Sequence, residues 1–344
     1  MRILRARVAS PALLQLAQQR RANRPVVQSL MGLALALLLP ALAASSARAD
    51  PAQVLAASAD PVYESFYAPR RHQFDLELYN MSDFVTDDSL IRRRQASTAG
   101  SALHWGPDLG AGTIQEPGIK GSFWFDDSNA VQFQFRYFAL YGSHFLSSPV
   151  TFNGDVLAPG QNISASDSTW FTFGLFYERR ITPWLERYTG DLPALLQSWD
   201  LRPRIGLEFV YLDFKINNGA PTLRSGNLDA RGRWHDQELP IPTLGITGRR
   251  WLGDRLALEV SAQSNWINKW NSLRTQGGTV YLSQASFETH WRLFYFDPRL
   301  IGLRPFLGIA YYYYKQSETS RGIGNLARLQ AFGPEVGINY SFGL

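Results

Sequence analysis

Bulky apolar side chains recur at every second position along most of this chain. Successive residues of a β-strand face opposite sides, so such a run has one greasy face and one face left to something polar. Phe74, Leu76 and Leu78 alternate with Asp75, Glu77 and Tyr79, and Val131, Phe133, Phe135 and Tyr137 alternate with Gln132, Gln134 and Arg136. The same holds at Phe171–Tyr177, Ile205–Tyr211, Leu256–Ala262, Val280–Phe296 and Phe306–Lys315. The last nine residues close the series, with Val336, Ile338, Tyr340, Phe342 and Leu344 on one face and Gly337, Asn339, Ser341 and Gly343 on the other.

The first 49 residues are of another kind. They hold no acid, carry Arg2, Arg5, Arg7, Arg20, Arg21 and Arg24 ahead of the apolar run 30–44, and end Ala47-Arg48-Ala49 before Asp50. A basic start, a short apolar centre and an A-x-A exit read as a secretory signal peptide cleaved after Ala49, because the run is shorter than the roughly 20 residues a membrane-spanning helix needs. Its removal takes seven of the 34 basic residues and none of the 29 acidic ones, leaving a net charge of −2. The apparent basicity belongs to the targeting segment, which removes the case for nucleic acid as a partner. There is no cysteine, hence neither a disulfide framework nor a thiolate metal site. No cofactor or metal is expected.

Residues 50–71 read as a flexible lead. Residues 72–344 read as one all-β domain, a transmembrane antiparallel barrel of about ten strands, with eight or twelve as alternatives. Twelve would require 61–68 and 101–106 to pair as well. Each strand of such a barrel needs only about 9–11 residues. An even count with short connections at 126–129, 252–254 and 297–304 and long ones at 82–117, 142–167 and 216–237 fits. Two segments read less cleanly. Pro240 and Pro242 suggest a late strand start or a bulge near 241–244, and 182–201 suggests a short helix around 192–199. The soluble alternative is an exported β-sandwich or lipocalin-like fold, but ten strands with bulky aromatics exceed what a small closed core could hold.

The export signal, alternating strands, aromatic content and terminal strand together resemble the bacterial outer-membrane β-barrel proteins over nearly all of residues 72–344. That resemblance implies the outer membrane of a Gram-negative envelope, with outer-membrane lipid and lipopolysaccharide as surroundings. It also implies recognition by barrel-insertion machinery through Val336, Ile338, Tyr340, Phe342 and Leu344. Leu344 stands where such signals usually end in Phe or Trp. No motif points to a subfamily.

If the apolar stripes face lipid, the opposite faces give the lumen: Asp75, Glu77, Lys120, Arg136, Glu178, Arg204, Glu208, Glu259, Glu288, Arg292 and Glu335. The mixture implies a salt-bridge network across the lumen or a wet, mildly cation-favouring passage. The leading reading is a narrow channel or a structural membrane protein, its network centred on Glu288 and Arg292 with His290 as a bystander. The alternatives are an outer-membrane hydrolase of lipid or peptide using Ser286, Glu288 and His290, and a loop-based adhesin or receptor. Same-face neighbours on one strand lie roughly 6.5–7 Å apart, too far for a nucleophile–base hydrogen bond without a second strand. The pair His235-Asp236 is a weaker acid–histidine candidate. Arg92, Arg93 and Arg94, placed in an outer loop, are either a grip on lipopolysaccharide phosphates or a solvated cluster.

Overall fold

The computed structural model describes residues 72–94, 100–152, 155–165, 168–182, 184–185, 199–216, 233–236, 240–252, 255–271, 281–300, 302–320 and 323–343. The export segment, the lead 50–71, all but the last residue of the helix expected at 192–199, the turn at 253–254 and Leu344 lie outside these residues.

Ten strands form one antiparallel ladder: β1 (Gln73–Val85), β2 (Thr113–Trp124), β3 (Asn129–Leu140), β4 (Thr169–Arg179), β5 (Asp200–Lys215), β6 (Ile241–Trp251), β7 (Leu256–Asn271), β8 (Tyr281–Tyr295), β9 (Leu303–Ser320) and β10 (Ile323–Gly343). Each pairs with its neighbour in sequence, and β10 returns to β1 from Gln73↔Gly343 to Val85↔Ala331. Closure leaves the ladder without a free edge, the condition under which strands can stand in hydrocarbon. Among the described residues no helix is long and apolar enough to cross a membrane.

The alternation sorts cleanly. On β8, Leu282, Gln284, Ser286, Glu288, His290 and Arg292 are buried inside, while Phe287, Trp291 and Tyr295 are exposed on the outer wall. Leu307, Ile309, Phe332 and Val336 continue that wall on β9 and β10. The apolar side therefore faces out and the polar side faces in, the reverse of a soluble barrel.

Short connections (125–128, 252–255, 296–302) gather with the start of β1 and the end of β10 at one rim, here the turn end. The opposite rim, the loop end, carries 86–112, 141–168 and 216–240. At the turn between β2 and β3, Asp126 Oδ1 accepts from the backbone N–H of Ser128 and of Asn129, each at 2.7 Å, so the loop is clamped by its own side chain.

Three expectations are revised. The long polar stretch after Met81 is partly strand: β1 runs on to Val85 and β2 begins at Thr113, so Asp83 and Glu116 stand on the barrel wall. Of the two readings near 241–244 the strand start holds and the bulge does not, since β6 begins at Ile241 and pairs with β5 in continuous register. The phase slips because Ile241 turns inward to pack with Ile267 and Leu282. The register shift lies instead between Ile267 and Trp270, where Lys269 takes a φ of 53°. Finally, Leu90–Arg94 and Ala102–His104 do pair, but as a short hairpin on the projecting end of β10 rather than as extra staves.

Candidate functional site

All eleven residues assigned to the lumen project into the barrel. They sit in a belt of ion pairs built around two guanidinium groups. Arg292 reaches from β8 to Glu335 on β10, with Nε and Nη2 at 2.9 and 2.5 Å from its two oxygens, and also to Glu77 (2.8 Å) and Glu259 (3.3 Å). Its plane lies over the rings of Tyr79 and Phe306, at 5.3 and 4.9 Å. Arg136 on β3 meets Glu288 (2.7 Å), Glu208 (3.0 Å) and Glu116 (3.2 Å), and donates to Thr172 Oγ1 at 3.1 Å. A planar fork with five donors can serve several carboxylates at once, which a lysine ammonium cannot do with the same geometry.

Glu288 and Arg292 do not pair with each other. His290 links them: Nε2 contacts Glu288, and Nδ1 is 3.0 Å from Glu335 Oε2, which Arg292 also holds. His290 is thus a member of the network and not a bystander. Each ring nitrogen faces a carboxylate, and Nδ1 also lies 3.3 Å from Arg292 Nη2. Arg204 donates to Gln132 Oε1 (2.7 Å) and Gln263 Oε1 (2.6 Å), and Gln263 passes a hydrogen bond on to Glu288 at 2.8 Å. Lys120 is buried on β2 beside the polar cavity that Asp75, Glu77 and Glu178 also line.

Several members escaped the sequence reading. Arg249 binds Glu259, and Arg202 pairs with Asp200 and lies 4.8 Å over the ring of Trp124. Asp83 and Glu116 are both buried on the inner wall, Glu116 3.2 Å from Arg136. Each sits where a strand begins earlier or ends later than its apolar stripe. Carrying the inward parity two or three residues further would have found them.

Space for the stem of Arg292 comes from a missing side chain on the neighbouring strand. A Cβ on Gly308 would stand 2.4 Å from the Trp291 carbonyl oxygen and 3.1 Å from Arg292 Cγ.

Towards the loop end the lumen turns apolar. From the described parts of 86–112 and 141–168, Ile91, Leu103, Trp105, Leu146 and Phe152 turn inward and pack on the wall residues Phe138, Trp170, Phe214 and Tyr312. Trp105 stands edge-on to Phe214 at 5.3 Å and donates its indole N–H to the Arg328 carbonyl at 3.1 Å. The two segments touch at Gly110, whose φ is 65° and where a Cβ would lie 2.4 Å from the Ser143 carbonyl oxygen. Towards the turn end, Asp75, Glu77, Lys120, Glu178, Arg202 and Arg249 border a cavity with room for about one water molecule.

Ser286 shares the inward face with Glu288 and His290. Its hydroxyl makes no hydrogen bond among the described residues, and both nitrogens of His290 are taken by carboxylates. His235 and Asp236 lie on the short strand Arg233–Asp236 beside β5, His235 opposite Asp213. Arg92–Arg94 belong to the strand Leu90–Arg94, not to a loop.

The chain has the fold of a transmembrane β-barrel. No protein-family model and no curated protein matches it. Among solved structures it is similar to the outer membrane protease OmpT of Escherichia coli at 10% identity, covering 78% of this chain and 97% of that one, with a TM-score of 0.40. It is also similar to the translocator domain of the autotransporter NalP of Neisseria meningitidis, at 11% identity, 88% and 97% coverage and a TM-score of 0.36. An outer membrane channel of Pseudomonas putida F1 matches at 12% identity, 80% and 97% coverage and a TM-score of 0.33. Superpositions this loose establish neither family nor activity, and the fold rests on the strand ladder itself.

Proposed function

We propose that this protein is an integral outer-membrane barrel of the narrow-channel or structural kind, closed in the conformation described, and exported by a signal peptide cleaved after Ala49. The observation that carries this reading is the closed ladder whose outer wall is apolar while its inner wall is a belt of paired charges. Such a surface is stable in lipid and not in water. Short turns mark the periplasmic rim of barrels of this kind and long loops the outer rim, so the folded-in segments 86–112 and 141–168 close the barrel from outside.

Of the two members of that reading, the filled lumen favours a structural barrel, with conduction dependent on displacing the loop segments. Hydrolysis through Ser286, Glu288 and His290 finds no support in the geometry, because the candidate base has no nitrogen free for the serine. The test is to refold the mature chain, compare its gel migration with and without boiling, and record planar-bilayer conductance. Heat-dependent migration with little or no conductance is expected. A soluble monomer that migrates identically in both conditions would overturn the reading, and the intact mass of membrane-extracted protein checks cleavage after Ala49.

A further inference from the structure

Outside the lumen, the outer wall holds one cluster of cations that the ion-pair belt does not use. On β9, Tyr314 and Gln316 are buried inward, so Lys315 between them faces out and is exposed. On β10, Ala327 and Leu329 are buried inward, so Arg328 faces out, and the register sets it directly opposite Lys315. On the short strand beyond it Ile91 is buried inward, and Arg92 faces out and is exposed. Leu90 stands opposite Arg328, which puts Arg92 on the diagonal from it.

Directly opposed residues lie about 5 Å apart and diagonal ones about 7–8 Å, so three adjacent strands bring three cations onto one face. Like charges facing each other across a ladder are destabilising unless an anion sits between them. The protein's own acids do not fill that role. Arg328 donates to the Asp88 carbonyl at 2.6 Å, and the Asp88 carboxylate is 3.8 Å away and itself 80% exposed. Asp87 is exposed on the same turn, its carbonyl 2.8 Å from His104 Nδ1. Lys315 and Arg92 have no hydrogen-bond or ion-pair partner among the described residues.

The height of the cluster indicates what could neutralise it. Along β9 and β10 the wall below is Tyr313, Tyr311, Ile309 and Phe332, with Phe84 and Phe287 on the neighbouring strands. Lys315 lies two residues beyond Tyr313, and Arg328 four beyond Phe332, or roughly 7 and 13 Å along the strand. An aromatic girdle marks the edge of the hydrocarbon, and cations one step past it stand among headgroups.

We infer that Lys315, Arg328 and Arg92 form a site on the outer wall for the phosphate groups of a phosphorylated glycolipid, lipopolysaccharide, in the outer leaflet. Two guanidinium forks and an ammonium can bind a phosphate from several sides, and the apolar wall beneath accommodates acyl chains. The inference rests on the outer-membrane reading above, which makes the loop end the outer rim.

The test uses the mature chain refolded in zwitterionic detergent, with the unfolding midpoint followed by heat-dependent gel migration. Purified lipopolysaccharide should raise the midpoint by several degrees, whereas dephosphorylated lipopolysaccharide, phosphatidylglycerol and inorganic phosphate should not. Changing Arg92→Gln, Lys315→Gln and Arg328→Gln together should raise the lipopolysaccharide needed by about tenfold or more, a size consistent with losing several charge-assisted contacts. Without lipid, the midpoint of Lys315→Gln alone should be unchanged or higher, since that change removes no contact and relieves the repulsion. Arg255→Gln with Arg299→Gln, at the turn end, should leave the lipopolysaccharide response intact. Equal stabilisation by dephosphorylated lipid, phosphatidylglycerol or free phosphate would overturn the inference, as would an unimpaired response in the triple variant and in Lys315→Gln. A chain that never shows heat-dependent migration fails the outer-membrane reading itself; a heat-modifiable barrel indifferent to lipopolysaccharide fails only this inference.

Discussion

Arg292 and Glu335 show how single residues hold the interior. Two bonds join them across β8 and β10, and both side chains are almost wholly buried. Removing one partner of a buried pair strands the other's charge, at about 3–5 kcal/mol, whereas removing both costs far less than the sum. Arg292→Gln and Glu335→Gln should therefore each lower the unfolding midpoint sharply, and chemical-denaturant curves on the double variant should recover much of the loss. Glu288→Gln with Arg292→Gln should couple more weakly, because only His290 joins them. A second residue-scale outcome concerns pH. Desolvation works against the Asp126 carboxylate, but bonds from Asn129 and Ser128 outweigh it and hold its pKa below the ordinary 3.8. A lowered folded pKa gives stability that is complete above about pH 4 and lost as the pH falls through the folded value. Asp126→Ala should destabilise the barrel at pH 7 and much less near pH 2, read from paired melting curves.

Elements succeed here because two constraints meet on each strand. The outward residues must suit lipid and the inward ones must suit each other, so a strand tolerates change on neither face. On β9, Ile309 is 62% exposed on the wall and opposite Pro334 of β10. Ile309→Arg should cost about 2–4 kcal/mol if it lies near the bilayer midplane, and less nearer a rim, when refolding into vesicles is titrated with urea. The inward neighbour Gly308 is restricted for another reason: any side chain there meets the β8 backbone. The terminal strand carries the same logic. Phe342 lies against Phe74 of β1 at 5.3 Å, across the seam that closes the barrel.

For the whole molecule, the decisive feature is that two loop segments fill the lumen they border. Among the described residues an apolar cap lies at the loop end, an ion-pair belt in the middle and a one-water cavity at the turn end. If the cap alone blocks a passage, weakening it should open one. Gly110→Val places a branched side chain at a positive φ and against the Ser143 backbone, which the two segments can accommodate only by separating. Planar-bilayer recordings should then show discrete openings absent from the unaltered protein. A silent Gly110→Val barrel that still melts cooperatively would mean that the belt itself is the block.

Alternation alone determined the strands, their inward and outward faces, and the eleven lumen residues, because a period of two is a local property of the backbone and lipid demands it at every stave. What the sequence could not supply was who meets whom. That Arg292 chooses Glu335 rather than Glu288, and that Arg92 gains Lys315 and Arg328 as neighbours, follows from register between strands and from which residues face the same way. Consecutive arginines on a strand point apart, while residues more than two hundred positions away come within a side chain's reach. The loop cap escaped for the same reason: short apolar runs between polar residues look like surface loops until the lumen offers them an apolar wall to bury against.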